Sequence, residues 1–258
     1  MEGRASRPSS PGGDARLSTG DQRPMLQLPR LYPILDAACF PDAAGMFAAA
    51  EELAAGGCTL LQYRNKSGNA RQMLDEAREL RARLGARADT EMPRPPATAE
   101  LRSAWTGEGA RPHTSASVKL IMNDRADLCL AAGFDGLHVG QDDLSPEAAR
   151  LIIGPARWLG VSTHNPEQLA EADKTTADYL AIGPIFATSS KANPDPVVGL
   201  EGVRRARELT RKPLVAIGGI TRANARSVID AGADSVAVIS DLLRDPRKSA
   251  EEFLRLLR

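Results

Sequence analysis

Eight short apolar runs, separated by stretches of helical character, recur along the chain, and this alternation leaves few folds open. They begin near Leu31-Tyr32-Pro33-Ile34-Leu35, Thr59-Leu60-Leu61-Gln62-Tyr63, Val118-Lys119-Leu120-Ile121-Met122 and Gly136-Leu137-His138-Val139. The second half continues with Trp158-Leu159-Gly160-Val161, Tyr179-Leu180-Ala181-Ile182, Pro213-Leu214-Val215-Ala216-Ile217 and Ser235-Val236-Ala237-Val238-Ile239. Most runs are continuous rather than alternating, as strands covered on both faces should be. Eight βα units predict an α/β fold, a single-domain (β/α)8 TIM barrel; a doubly wound open sheet is the runner-up. Ala55-Gly56-Gly57-Cys58, Ala131-Ala132-Gly133-Phe134-Asp135 and Ala231-Gly232-Ala233-Asp234 repeat a signature in which glycine ends a helix and the chain drops into a strand.

Two segments break the pattern. Residues 1–29 are rich in Ser, Pro, Gly and Arg without periodicity, which predicts a disordered tail, with Met25 as an alternative start of translation. The barrel is expected to span 30–258, and residues 86–117, with Pro93, Pro95, Pro96 and Pro112, read as a flexible insertion before the third strand. Lying after a helix and before a strand, that insertion belongs on the face opposite the active-site loops. Trp105 within it reads as an exposed aromatic rather than an anchor.

A chain of 258 residues, 42% apolar and formally uncharged, supports one large core without requiring two. Balanced charge argues against nucleic acid or an acidic membrane as the main partner and favours small-molecule substrates; a homo-oligomer is compatible with it. Cys39, Cys58 and Cys129 are odd in number and widely spaced, the pattern of reduced thiols. No run approaches a membrane span and the first thirty residues lack a signal-peptide core, so a cytoplasmic location is expected.

In a barrel the strand ends carry the chemistry. The third and fourth runs break off into Asn123-Asp124 and Gly140-Gln141-Asp142-Asp143, carboxylates that would emerge side by side on one rim. Oxygen ligands on separate elements, with room for water and phosphate, are what Mg²⁺ favours. Helix capping is the bland reading of Asp124 and of Asp143 taken singly. The second run ends Gln62-Tyr63-Arg64-Asn65-Lys66, and period two turns Gln62, Arg64 and Lys66 inward, two cations and an amide suited to phosphate oxygens. An ordinary charged strand end is the alternative there. The sixth end, Gly183 to Lys191, is rich in hydroxyls, and the seventh and eighth, Gly218-Gly219-Ile220-Thr221 and Ile239-Ser240, suit close approach to a phosphate.

The ordered strings Gln-Tyr-Arg-Asn-Lys, Asn-Asp, His-Val-Gly-Gln-Asp-Asp, Gly-Val-Ser-Thr-His, Gly-Pro-Ile-Phe-Ala-Thr-Ser-Ser-Lys, Ile-Gly-Gly-Ile and Val-Ile-Ser resemble the thiamine-phosphate synthase family from about Leu31 to Ser240. The resemblance implies that Gln62, Arg64, Lys66 and Asn123 hold the diphosphate of 4-amino-2-methyl-5-hydroxymethylpyrimidine diphosphate. It implies Mg²⁺ on Asp124 and Asp143, with Asp142 in second rank. Ser162 and Lys191 would act on the same substrate, which makes Arg64, Lys66, Ser162 and Lys191 the catalytic set. Thr188, Ser190, Gly219, Ile239 and Ser240 would hold thiazole phosphate. Two departures stand out: the family's sixth loop usually reads Pro-Thr-x-Thr-Lys, where Ala187 and Ser190 stand here, and Asp241 follows Ser240 in place of a small apolar residue.

The expected reaction is transfer of the pyrimidinylmethyl group with release of diphosphate. A thiazole tautomerase using His164 as proton carrier is a related alternative, with no need of Asp124 and Asp143. A non-catalytic phosphate-sensing barrel is the alternative from another class.

Overall fold

The computed structural model describes residues 26–85, 117–188 and 195–258. The expectations for residues 1–25 and 86–116 lie outside the described residues. Strands β1 Leu31–Asp36, β2 Leu60–Arg64, β3 Lys119–Asn123, β4 Gly136–Val139, β5 Trp158–Thr163, β6 Tyr179–Ile182, β7 Leu214–Ile217 and β8 Ser235–Val238 close in that order into a barrel. Every pairing is parallel, including the closing one of β1 with β8. The helices are α1 Ala43–Ala55, α2 Ala70–Leu84, α3 Ala126–Ala131, α4 Pro146–Ile153, α5 Pro166–Asp173, α6 Gly199–Leu209, α7 Ala225–Asp230 and α8 Pro246–Leu256. The (β/α)8 barrel expected from the eight runs is therefore the fold, and β5 alone runs two residues beyond its apolar run, through Ser162 and Thr163. No helix among the described residues is long and apolar enough to cross a membrane.

Strand parity sorts the side chains into two cores. Leu61 and Tyr63 of β2, Leu120 and Met122 of β3 and Leu137 and Val139 of β4 point outward to the helices. Tyr32, Ile34, Leu60, Ile121, Tyr179, Ala181, Val215 and Ala237 fill the barrel's interior, and Leu26 and Leu28 pack against that cluster. The same parity carries inward-facing polar groups above this apolar layer, toward the C-terminal rim.

The aspartates that precede three of the strands have a structural role. Asp135, Asp178 and Asp234 stand just before β4, β6 and β8, and each carboxylate accepts the backbone N–H of a residue on the preceding strand: Leu120 at 2.9 Å, Leu159 at 2.7 Å and Leu214 at 2.8 Å. An arginine from α2, α4 or α6 grips the same carboxylate: Arg81 at 2.9 Å, Arg150 at 2.6 Å and Arg207 at 2.7 Å. These clasps tie strand pairs to helices at the base and leave the rim to function.

Candidate active site

The second strand end divides by parity as its sequence predicts. Tyr63 and Asn65 turn outward to the buried Glu76 of α2, where Asn65 Nδ2 donates to its carboxylate at 2.9 Å and Tyr63 also donates to it. Asn65 further accepts from Ser67 N at 2.9 Å, which shapes the loop leaving the strand. With these two residues clamped, Gln62 and Arg64 face the barrel interior. Arg64 pairs with Asp36 at the end of β1, and Lys66 reaches the carboxylate of Asp124.

Asp124 follows β3 with φ 63°, the one non-glycine among the described residues in the left-handed region. Aspartate tolerates that conformation better than most residues. Its N–H donates to His138 O at 2.8 Å, which binds the end of β3 to β4. Burial holds the Asp124 carboxyl above the usual carboxylate range; Lys66 pulls it down and the adjoining Asp143 carboxyl pushes it further up. The two carboxylates thus meet, as their strand ends predict. Asp143 also accepts from Gly140 N at 2.8 Å, which fixes the loop after β4, whereas Ser145 rather than Asp143 caps α4. Beside them, at the inward-facing end of β3, the Asn123 side-chain amide is buried and its Nδ2 has no hydrogen-bond partner among the described residues.

Ser162 on β5 meets His138 Nε2 at 2.8 Å, and His138 Nδ1 meets the Tyr179 hydroxyl at 3.1 Å. Burial pushes the His138 pKa down to about 4, so the ring is neutral near pH 7. His164 binds Gly183 O through Nδ1 at 2.7 Å, a contact that orients the sixth loop.

On the opposite side of the rim, Gly219 has φ 63°, and a Cβ built on it would lie 2.5 Å from Ala187 O. The seventh loop consequently rests on the sixth, where Thr188 stands half-buried. Ile239 is half-buried and packs against the barrel's interior cluster, and the exposed Ser240 opens a 3-10 turn, Ser240–Leu242, that buries Leu242. Ser190 and Lys191 lie outside the described residues. Asp241 turns to Arg222, which donates to its carboxylate from N at 2.9 Å, Nε at 3.1 Å and Nη2 at 3.2 Å. The departure at this position is neutralised within the chain.

Sequence reasoning left Asp36, Tyr32, Tyr179 and His138 without roles. Extending the inward parity of Gln62 to β1, β4 and β6 points to all four, because each is polar or titratable at an interior position.

Fold and rim define a (β/α)8-barrel enzyme that brings carboxylates and cations together at the C-terminal ends of its strands. The family model described as thiamine monophosphate synthase matches residues 97–242. A thiamine-phosphate synthase of Koribacter versatilis is 60% identical over 235 residues, covering 90% of this chain and 97% of that protein. One from Chloroflexus aurantiacus is 40% identical, covering 88% and 92%. The solved thiamine phosphate pyrophosphorylase of Pyrococcus furiosus superposes with a TM-score of 0.69 at 31% identity, covering 88% of this chain and 95% of that one. The chain belongs to the thiamine-phosphate synthase family, and its activity is thiamine-phosphate synthesis (EC 2.5.1.3) in thiamine biosynthesis.

Proposed function

We propose that the rim binds 4-amino-2-methyl-5-hydroxymethylpyrimidine diphosphate with Mg²⁺ and transfers its pyrimidinylmethyl group to the nitrogen of thiazole phosphate or its carboxylate. The observation that carries this reading is the convergence of Asp124, Asp143 and Lys66 beside the unsatisfied Asn123 amide. Asp124 and Asp143 would hold the metal. Among the described residues no group of three or more His, Cys, Asp or Glu side chains is arranged to hold a metal ion. Two carboxylates suit a cation that keeps water and takes phosphate oxygens, as Mg²⁺ does. When bound, it would neutralise charge building on the departing diphosphate.

The chain's own groups do the rest. Arg64, held by Asp36, offers a fork to phosphate oxygens; Lys66 offers a point charge, and Lys191 another from the sixth loop. Asn123 Nδ2 donates to the diphosphate, and Gln62 and Ser162 hold the same substrate. As the carbon–oxygen bond breaks, its electron pair leaves with diphosphate, whose charge these donors take up. The thiazole nitrogen then supplies the pair for the new carbon–nitrogen bond; where the thiazole carries a carboxylate, that group leaves as carbon dioxide and a proton from water takes its place on the ring carbon. Thr188, Ser190, Gly219, Ile239 and Ser240 hold the thiazole's phosphate so that the two substrates meet. Neither step needs a protein nucleophile or base. His164, bound to Gly183 O, is read as a loop-orienting residue. The three free cysteines support a reducing cytoplasmic setting.

The test is incubation with both substrates, with Mg²⁺ and with a chelator, following thiamine phosphate and pyrophosphate. Product dependent on Mg²⁺ is expected. Equal turnover in the chelator would remove the metal from the mechanism.

A further inference from the structure

An unbroken line of side-chain hydrogen bonds crosses the barrel beneath the rim. Gln62 Nε2 on β2 donates to the Tyr32 hydroxyl of β1 at 3.0 Å, and Tyr32 meets the Tyr179 hydroxyl of β6 at 2.9 Å. Tyr179 meets His138 Nδ1 of β4 at 3.1 Å, and His138 Nε2 meets Ser162 Oγ of β5 at 2.8 Å. Gln62, Tyr32, Tyr179 and His138 are buried, and only Ser162 at the end is half-exposed to the site. The line has space made for it: a Cβ on Gly160 would lie 2.1 Å from Tyr179 Cζ and 2.4 Å from His138 Nδ1.

Proton counting gives the line a direction. Each tyrosine has one hydrogen to give, and a neutral imidazole has one N–H and one acceptor nitrogen. The amide nitrogen of Gln62 can only donate, so full pairing has Tyr32 donate to Tyr179 and Tyr179 donate to His138 Nδ1. The His138 proton then resides on Nε2 and is given to Ser162 Oγ. Ser162 keeps its own hydrogen for the site. Turning the Gln62 amide over would reverse every bond: Ser162 would donate to His138 and present only lone pairs.

We propose that Gln62, Tyr32, Tyr179 and His138 form a one-way hydrogen-bond relay that fixes Ser162 as a hydroxyl donor to the diphosphate substrate. Tyr32, Tyr179 and His138 are positioning residues, acting through Ser162. The assignment of Ser162 to substrate rests on the reading of the rim given above; the direction of the relay does not.

The test has a spectroscopic arm and a kinetic arm. Ring ¹⁵N spectra of the intact, histidine-labelled protein at pH 7 resolve three histidines, with His113→Gln and His164→Gln identifying the signals of His138. Protonation of Nε2 alone is expected, and protonation at Nδ1 overturns the proposal. Tyr179→Phe removes one hydroxyl and should redistribute the His138 proton between the two nitrogens; an unaltered ring signal also overturns it.

In steady state, Tyr179→Phe should lower kcat/KM for the pyrimidine diphosphate about tenfold, and should have no further effect in a Ser162→Ala background. Effects that multiply instead would assign Tyr179 a structural role only and overturn the relay's function. Full activity in Ser162→Ala, with the Nε2 tautomer intact, overturns the substrate end and with it the reading of Ser162, while leaving the direction of the relay standing.

Discussion

Lys66 and Asp124 form an ion pair across the rim, joining the loop after β2 to the residue that ends β3. The lysine side chain is 53% exposed and the aspartate 15%, so a mobile ammonium meets a carboxylate fixed from behind. The fixing is in the backbone, because Asp124 is held at φ 63° with its N–H on His138 O. On the proposed reading, Lys66 and a bound cation would draw on one carboxylate, and the lysine would swing to the diphosphate when the metal takes its place.

Separating the chemistry of Asp124 from its backbone needs two substitutions. Asp124→Asn removes the charge and keeps a side chain that tolerates positive φ, so stability should hold while Mg²⁺-dependent turnover falls about 100-fold. Asp124→Ala should lose the same turnover and, in addition, about 1 kcal/mol of unfolding free energy. Urea unfolding beside an assay at several Mg²⁺ concentrations reads both. Near-native turnover in Asp124→Asn would take the residue out of the metal site.

Arg222 restrains the Asp241 carboxylate, which on the proposed reading stands next to the thiazole phosphate. Its guanidinium is shared between Asp241 and Glu252, the latter at 2.6 Å on α8. Arg222→Met should leave Asp241 unpaired at the eighth strand end and raise KM for thiazole phosphate about fivefold, a near-surface charge effect of roughly 1 kcal/mol. Adding Asp241→Asn should restore KM. If the double variant binds as weakly as the single one, Arg222 acts on the substrate by another route.

The barrel was legible because parallel strands covered on both faces must be continuously apolar, and eight such runs with helices between them have one common closed solution. The cation-bearing strand end was legible for a different reason: period two in Gln62-Tyr63-Arg64-Asn65-Lys66 assigns faces before any contact is known. What stayed hidden depends on neighbours distant in sequence. Nothing local to Tyr32 or Tyr179 says that their hydroxyls meet, and His138 sits in a run whose apolar flanks, Leu137 and Val139, mask an inward polar position. The outcome at Asp241 was equally invisible, since its partner Arg222 lies 19 residues away on another strand end.

The cysteines provide a test of burial that needs no substitution. Burial pushes the thiols of Cys58 and Cys129 up to about 12, while Cys39 is exposed and its thiol is raised by partial burial and by Asp36. A raised pKa lowers the thiolate fraction at a given pH, and each unit of pH below the pKa cuts it about tenfold. The folded protein at pH 8 should react with one equivalent of an alkylating reagent, at Cys39, with a rate that climbs as pH rises. Urea should release two more sites. Rapid labelling of Cys58 or Cys129 without denaturant would contradict the packing around α1 and α3.

Two of the three aspartate clasps at the barrel base, those of Asp178 and Asp234, should differ in strength although their chemistry is shared. Removing the carboxylate leaves a strand N–H without its acceptor, and the loss scales with how completely water is kept from replacing it. The Asp178 side chain is 24% exposed against Arg150 at 13%, whereas that of Asp234 is 45% exposed against Arg207 at 29%. Asp178→Ala should therefore lower the unfolding free energy by about 2 kcal/mol and Asp234→Ala by about 1 kcal/mol. Arg150 keeps Gly154 O, Arg157 O and Thr176 O as partners in the first variant, so the loss belongs mainly to the Leu159 N–H and not to a stranded guanidinium. Both substitutions lie at the N-terminal ends of strands, away from the rim, so kcat should be retained in the folded variants. Urea denaturation of the two variants and the parent measures the order, and an equal or reversed ranking would mean that water access is not what sets these clasps apart.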